Sequence, residues 1–376
     1  MKNLMTVGAA LLLTTTAATA GGLDRSGQGV GIIFEEGNSA ELSFGSVSPS
    51  ISGDATGTGL TGASGNMAGK YSQVGIGIKN QIADNLSVSL VFDQPFGASV
   101  DYNDTTGGYY ATGAKADVSS TAITAVARYS LSDSISVHAG LRRQSVKADI
   151  TIPLGVAGNY DFSSESSSGN GFLVGAAYER PEIAMRFALT YNSSVDHDIE
   201  GTETCYSAAI CSGTPETTKV TTPESINLDF QTGVAADTLV FGSIRYAKWT
   251  QFDFKPSGYA TITSGGSLQK YDEDTMSYNV GVGRKFSDTW SGALSFGYEA
   301  AQGGFAGNLA PTDGNKSVGL GATYTGDGFK VTGGVRYVML GDADTEHPVA
   351  ALAGTTAAEF RDNSALAFGL KVSTSF

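Results

Sequence analysis

Basic residues are few in this 376-residue sequence, and long apolar runs are missing after its first twenty residues. Lysine and arginine number 23 against 37 aspartates and glutamates, which gives a formal net charge of −14 at pH 7. This acidic balance argues against nucleic-acid binding, which needs a basic face. No later run approaches the roughly 18 apolar residues of a membrane-spanning helix, so we expect no transmembrane helix.

Histidine and cysteine are also scarce. The three histidines are isolated, and no G-x-S-x-G, H-E-x-x-H or P-loop motif is present, so we expect no enzyme, no cofactor and no metal site. The two cysteines, Cys205 and Cys211, lie close together in a polar segment. In an oxidising compartment this spacing predicts a disulfide, with metal binding beside the nearby acidic residues as the alternative.

The first twenty residues have the pattern of a secretory signal peptide. Lys2 precedes the apolar stretch MTVGAALLLTTTAATA, which ends in Ala18-Thr19-Ala20. A basic start, a short apolar core and an A-x-A end are typical of such signals. We therefore assign residues 1–20 to a signal peptide for Sec export, with a buried N-terminal helix as the alternative.

Glycine and aromatic residues are abundant in what remains. There are 50 glycines, 16 tyrosines and 18 phenylalanines against 2 tryptophans. An exported, acidic, glycine- and tyrosine-rich chain indicates either a soluble secreted β protein or an outer-membrane β-barrel. The strands of such a barrel hide their hydrophobicity in alternation.

Apolar and polar residues do alternate along much of the sequence. In IAMRFALTYN, for example, Met185, Phe187 and Leu189 share one parity, while Arg186 and Thr190 share the other. Successive strand side chains point to opposite faces, so this period predicts β-strands. Extended along the chain, the pattern predicts fourteen strands, roughly at 40–51, 69–80, 85–94, 117–130, 134–151, 166–179, 182–194, 221–235, 238–254, 271–286, 289–300, 315–325, 328–341 and 363–376.

The connections between these strands alternate between short turns and long loops. Turns such as SLSDS, ERPE and TGDG alternate with long segments rich in Gly, Ser, Thr, Asp and Asn. Short turns on one rim, long loops on the other and an even strand count are typical of a bacterial transmembrane barrel. A secreted β-sandwich is the alternative, but its strands are shorter. We predict an all-β fold with an antiparallel barrel over residues 40–376.

Several stretches resemble the FadL family of outer-membrane transporters. SLVFDQPFGASVDYND with the following TAITAVARYSLSDSISVHAGLRRQSVKADI is similar to the family's third to fifth strands. VTTPESINLDFQTGVAADTLVFGSIRYAKWTQFDF is similar to a later strand pair. The resemblance implies a fourteen-stranded barrel that carries long-chain fatty acids or other hydrophobic compounds by passive diffusion through an apolar pocket, with lateral exit at a kinked third strand.

The resemblance also implies an N-terminal hatch, here shortened to residues 21–39, that plugs the lumen. The hatch residues singled out are Gly27, Gly29, Gly31, Ile32, Ile33 and Phe34. The stretch Gln94-Pro95-Phe96-Gly97 fits the kink, since proline removes a ladder donor and glycine permits a bend. An ordinary strand-to-loop turn is the alternative for Pro95 and Gly97.

A fatty-acid carboxylate needs a basic or hydroxyl group beside an apolar pocket. By its position in the fifth strand, Lys147 matches the family's basic ligand, although strict alternation turns it away from the lumen and turns Arg142 inward. A landing site is expected in the loop 95–116. Its aromatic residues are Phe96, Tyr102, Tyr109 and Tyr110. A lumen ion-pair network and an ordinary tyrosine-rich surface loop are the alternatives.

The final predicted strand, residues 363–376, alternates in the same way. Its alternation runs to Phe376, which resembles the signal read by the outer-membrane assembly machinery. We expect a monomer in the outer membrane of a Gram-negative bacterium, in contact with outer-membrane lipids, a hydrophobic ligand and that machinery. A general diffusion porin and a surface adhesin are the alternative functions.

Overall fold

A computed structural model describes residues 23–376 and shows a closed antiparallel barrel of fourteen strands, as the alternation predicts. The expected signal peptide, residues 1–20, lies outside the described residues. The barrel strands, numbered in chain order, are β1 Ser39–Ser50, β2 Tyr71–Ala83, β3 Leu86–Asp93 with Gly97–Asp101, β4 Lys115–Ser130, β5 Ile135–Pro153, β6 Asn159–Ser164 with Ser167–Arg180, β7 Met185–Asn192 with Val195–Thr204, β8 Pro215–Thr222 with Ser225–Ala235, β9 Thr238–Ala247, β10 Thr275–Lys285, β11 Trp290–Glu299, β12 Asn315–Thr325, β13 Phe329–Leu340 and β14 Ser364–Ser375.

The barrel closes between its first and last strands. β1 pairs with β14 along its whole length, from Ser39 opposite Ser375 to Ser50 opposite Ser364. An open strand edge in lipid would leave backbone hydrogen-bonding groups unsatisfied, and closure removes that edge. Phe376 follows the seam, and its amide donates to the Asn38 carbonyl at 3.2 Å.

The two faces of the barrel differ in chemistry. Outward side chains are mostly apolar and exposed, as on β14, where Phe368 and Leu370 are about half exposed. In the half of the barrel nearer the short turns, inward side chains are largely polar. Lys371, on the same strand, pairs with Glu41 at 3.0 Å across the seam. An apolar outer face with a polar interior suits a barrel surrounded by lipid.

Several strands are longer than predicted, and the upper loops contain structure of their own. Residues 97–101 and 195–204, predicted as loops, continue β3 and β7, and residues 159–164 form the upper part of β6. Cys205 and Cys211, above β7, are joined by a disulfide. The loops also form a small sheet of Gly53–Ala55, Phe305–Ala306, Ala343–Glu346 and Thr356–Phe360, a pair Asp253–Phe254 with Gln269–Lys270, a helix α1 Ser257–Ile262, and 3-10 turns at Gly31–Phe34, Gly155–Ala157, Pro181–Ile183, Trp249–Gln251 and Ala350–Leu352.

None of the helices within residues 23–376 has the length and apolar character needed to cross a membrane.

Candidate functional site

Residues 23–38, which we call the N-terminal segment, lie against inward-facing side chains of the barrel. Arg245 on β9 is its main anchor, and its guanidinium donates to both carboxylate oxygens of Asp24, at 2.7 and 3.2 Å. The same guanidinium reaches the Gly27 carbonyl and the Gln28 side chain. Gly27 and Gln28 have φ angles of 65° and 58°, so the chain turns sharply at this anchor.

The second half of the N-terminal segment is packed by apolar contacts. Ile32 and Ile33, in the 3-10 turn, are buried against Val91, Val126 and Leu173 from three barrel strands. Burial of two isoleucine side chains contributes several kcal/mol at about 25 cal/mol per Å² of apolar area. The segment is therefore held at two places, by an ion pair near its start and by an apolar cluster near its end.

Phe34 packs against the same apolar cluster and is also contacted by positively charged side chains. Its ring meets His138 edge to face at 5.9 Å, and the guanidinium carbons of Arg128 and Arg186 lie 4.8 and 4.5 Å from its centre. Cations over an aromatic face are attracted to its negative quadrupole. Arg128 also pairs with Glu179. Side chains from β4, β5 and β7 therefore surround Phe34.

β3 contains a bulge of one residue at the predicted kink. Asp93 is opposite Ala122 and Gly97 is opposite Ser119. The chain therefore advances four residues on β3 over the stretch in which it advances three on β4. An extra residue of this kind bends the strand and interrupts the ladder. Pro95, which has no N–H, lies within the interruption.

The bulge leaves a gap between β2 and β3. Their ladder begins only at Ile76 opposite Phe92, so residues 71–75 of β2 have no backbone partner on β3. The Gln94 side chain supplies a substitute, because its Oε1 accepts from the Val74 amide at 2.9 Å.

The N-terminal segment supplies hydrogen-bond partners for the backbone groups of the bulge that β2 does not reach. The Arg25 amide donates to the Pro95 carbonyl at 2.7 Å, and the Gly97 amide donates to the Leu23 carbonyl at 2.8 Å. A Cβ atom on Gly97 would lie 2.5 Å from the Arg25 guanidinium carbon, so a larger residue at this position would have to displace the Arg25 side chain. The kinked backbone is shielded by protein, as irregular backbone at membrane depth must be.

A cavity of about 160 Å³ lies at this gap, and we call it the wall cavity. Its lining includes the outward-facing Phe44, Val74 and Ile76 as well as the inward-facing Gln73 and Asp93. Residues of both faces of the barrel therefore line one cavity beside the interrupted strand.

A second, apolar cavity of about 40 Å³ lies above the N-terminal segment. Its centre is Trp249, whose ring meets Phe96 edge to face at 5.6 Å and Tyr271 at 5.0 Å. The remaining apolar lining comes mainly from Leu23, Ala98, Ala116, Val118, Val146, Ala148, Ile150, Ile199, Val220, Phe252, Phe254, Leu309 and Ala310. This volume is close to that of one water molecule, so a larger ligand enters only if the surrounding loops separate.

The structure places the two basic residues of the expected ligand site on opposite faces of β5. Arg142 is buried and inward, and it donates to Thr124 at 3.0 Å and Asn192 at 3.1 Å. Lys147 points outward, is half exposed and pairs with Asp149 at 2.9 Å. The alternation continues through this position without a bulge, so Lys147 does not line the lumen.

The predicted landing-site aromatics are buried rather than open to solvent. Phe96, Tyr102 and Tyr109 are at most 2% exposed, and burial raises the pKa of the Tyr102 hydroxyl well above its usual range. The Tyr102 and Tyr110 hydroxyls both donate to Asn308, each at 2.7 Å. These tyrosines join two loops over the apolar cavity, and only Phe96 of the predicted set lines it.

Sequence reasoning missed most of the apolar cavity, although a signal for it exists on β5. Inward residues change from Arg142 and Gln144 to Val146, Ala148 and Ile150, while outward residues become polar. This exchange marks where the strand leaves the bilayer and where the lumen becomes apolar. Trp249 carries no comparable signal, because the 3-10 turn at Trp249–Gln251 ends the alternation of β9.

Comparisons with known proteins agree with this architecture. A crystal structure of a Pseudomonas aeruginosa FadL homologue superposes with a TM-score of 0.74 at 14% identity, covering 99% of this chain and 98% of that one. The Pseudomonas putida toluene transporter TodX gives a TM-score of 0.64 at 12% identity over 92% and 91% of the two chains. A structure described as the CymD monoaromatic hydrocarbon channel gives 0.61 at 13% identity over 98% and 95%.

The search of curated proteins finds no match. A family model described as outer membrane protein transport protein (OMPP1/FadL/TodX) matches residues 39–376, which is the whole barrel. On this match, the chain belongs to the OMPP1/FadL/TodX family of outer-membrane transport proteins of Gram-negative bacteria.

Proposed function

We propose that this protein takes up long-chain fatty acids or similar hydrophobic small molecules by passive diffusion, with a lateral exit at β3. The observation that carries the proposal is the wall cavity, in which residues of the lumen and of the lipid face meet at an interrupted strand. A hydrophobic molecule gains about 0.8 kcal/mol per CH₂ on leaving water, so an apolar path into lipid gives a downhill direction.

The path begins at the apolar cavity beneath the loops. Phe96 lines that cavity and lies in the bulge itself, next to Pro95. Cargo that separates the loops and displaces the Leu23–Arg25 backbone from the bulge reaches the wall cavity, and then the bilayer. In this proposal residues 1–20 are the export signal, residues 21–39 are the hatch, and residues 40–376 are the transport barrel.

An open diffusion porin fits the arrangement less well. The N-terminal segment lies in the lumen and is anchored at Arg245 and at the Ile32–Ile33 cluster. Small aromatic hydrocarbons are a second candidate cargo, because the proteins titled TodX and CymD are described as a toluene transporter and a monoaromatic hydrocarbon channel.

A pair of adjacent substitutions tests the apolar path. Ala148→Asp places a carboxylate in the apolar cavity, whereas Lys147→Asp places one on the outer face of the same strand. We expect Ala148→Asp to lower uptake of labelled oleate or toluene at least tenfold per assembled barrel, because a buried unpaired charge opposes apolar cargo.

The matched Lys147→Asp variant should retain uptake, since its added carboxylate and the lost ion pair with Asp149 both lie on the exposed outer face, where charge interactions are weak. Uptake is measured in a strain that lacks its own transporter, and folded barrel is quantified by heat-modifiable gel mobility. Equal uptake by the two variants, or loss of uptake in Lys147→Asp alone, would contradict the proposed path.

A further inference from the structure

We propose that Arg336 is a binding site for the carboxylate of an amphiphilic cargo molecule, an inference that rests on the proposed uptake function. Arg336 lies on the inward face of β13 and is 7% exposed. In register it lies between Gly319 of β12 and Ala367 of β14. Small neighbours on both sides leave room beside the guanidinium.

The hydrogen-bond partners of Arg336 are neutral and distant. Its guanidinium donates to Asn279 at 3.2 Å, Ser317 at 3.4 Å and Ser295 at 3.5 Å. Its Nε has no partner among the described residues, and no ion pair involves Arg336 in that part of the chain. A buried charge with no opposite charge or close hydrogen bonds is costly, so such a group at membrane depth indicates a functional site.

Other inward-facing cations have an ion pair, shorter hydrogen bonds or an aromatic ring as a partner. Arg245 pairs with Asp24, Arg128 pairs with Glu179, and Lys371 pairs with Glu41. Arg142 has no ion pair within residues 23–376 but makes shorter hydrogen bonds of 3.0 and 3.1 Å. Arg186 lies over the Phe34 ring at 4.5 Å. Arg336 is thus a cation that the protein itself leaves incompletely satisfied.

The space beside Arg336 suits a carboxylate. A cavity of about 110 Å³ is lined by Arg336, Asn279, Ser317 and Asn227, with residues 26, 27 and 29–31 of the N-terminal segment on another side. This volume corresponds to a few water molecules, which a carboxylate can replace. The guanidinium fork and the amide and hydroxyl donors match a carboxylate's two oxygens.

Two other charged groups line the same cavity. Arg245 is neutralised by Asp24, and Asp229 lies close enough to Arg186 and Arg245 to interact with them. The wall cavity and the Arg336 cavity also share Ser26, Gly29 and Gly31. The N-terminal segment therefore lies between an anion site and the proposed exit, so an acidic head group can be held at Arg336 before release.

The inference is tested by binding of octanoate and 1-octanol, which differ in charge but little in size. Titration calorimetry uses the full-length barrel in amphipol. We expect Arg336→Gln to weaken octanoate at least tenfold, the usual effect of losing a charge-assisted hydrogen bond. Octanol should change less than twofold, and Arg336→Lys should recover part of the octanoate affinity.

A control variant, Lys316→Gln, removes an exposed positive charge from β12 beside Ser317 and should leave octanoate affinity within twofold. Unchanged octanoate affinity in Arg336→Gln, or equal losses for both ligands, would overturn the inference while leaving the proposed uptake intact. If the wild-type barrel binds neither ligand, both the inference and the proposed function fail. Heat-modifiable mobility shows that each variant is folded.

Discussion

Replacing Arg245 by methionine should release the start of the N-terminal segment while leaving the barrel intact. Arg245 makes six hydrogen bonds, of which two go to the Asp24 carboxylate. Both side chains are less than 10% exposed, so the variant removes a buried ion pair from the Asp24 carboxylate. Loss of one member of such a pair costs about 3–5 kcal/mol, which shifts the docking equilibrium by about 10²-fold to several thousandfold.

The release can be followed with a thiol reporter. The chain has no free cysteine among its described residues, so Leu23→Cys introduces a single buried thiol at the start of the segment, next to Asp24. We expect maleimide to label this thiol at least tenfold faster when Arg245→Met is added, and planar-bilayer conductance to rise from a low basal level. The paired variant Asp24→Asn with Arg245→Met should be milder, because it removes both charges of the buried ion pair together. Equal labelling rates in all three backgrounds would refute this view of the anchor.

Three further outcomes follow from the loops and the rim. Replacing Cys205 and Cys211 together by serine should remove about 2 kcal/mol from the upper β7–β8 loop; limited proteolysis should cut that loop faster while the barrel keeps its mobility. Tyr110→Phe removes hydrogen bonds to Asn308 and Thr345, worth about 1–2 kcal/mol in total; hydrogen exchange near Asn308 should accelerate, and unchanged exchange would count against a loop clamp. Phe376→Ala should lower the amount of assembled barrel in outer membranes while leaving uptake per barrel unchanged; a loss per barrel instead would give Phe376 a transport role.

The barrel could be predicted from the sequence because its determinants are local. Each strand must be apolar toward lipid and polar or small toward the lumen, so alternation such as that of Leu366, Phe368 and Leu370 is visible without knowing any partner strand. Strand ends were less predictable, since residues 97–101 and 195–204 leave the bilayer and lose the apolar outward parity.

The candidate site was harder to predict from the sequence, because it depends on contacts between residues that are far apart in the chain. The sequence Gln94-Pro95-Phe96-Gly97 indicated a bend, but a one-residue bulge exists only relative to the register of β4. The resemblance favoured Lys147 over Arg142, whereas strict alternation already placed Lys147 outside. The weak partners of Arg336 come from β10, β11 and β12, and no pattern within β13 reports them.

Deletion of Pro95 alone tests the lateral exit most directly. It removes the extra residue, so that three steps on β3 oppose three on β4 and the ladder can extend toward residues 71–75 of β2. The lumen anchors at Arg245 and Ile33 are untouched. We predict a folded, heat-modifiable barrel whose uptake of labelled oleate falls at least tenfold, with Pro95→Ala, which keeps the extra residue, close to wild type. Wild-type uptake by a folded deletion variant would contradict exit through the barrel wall.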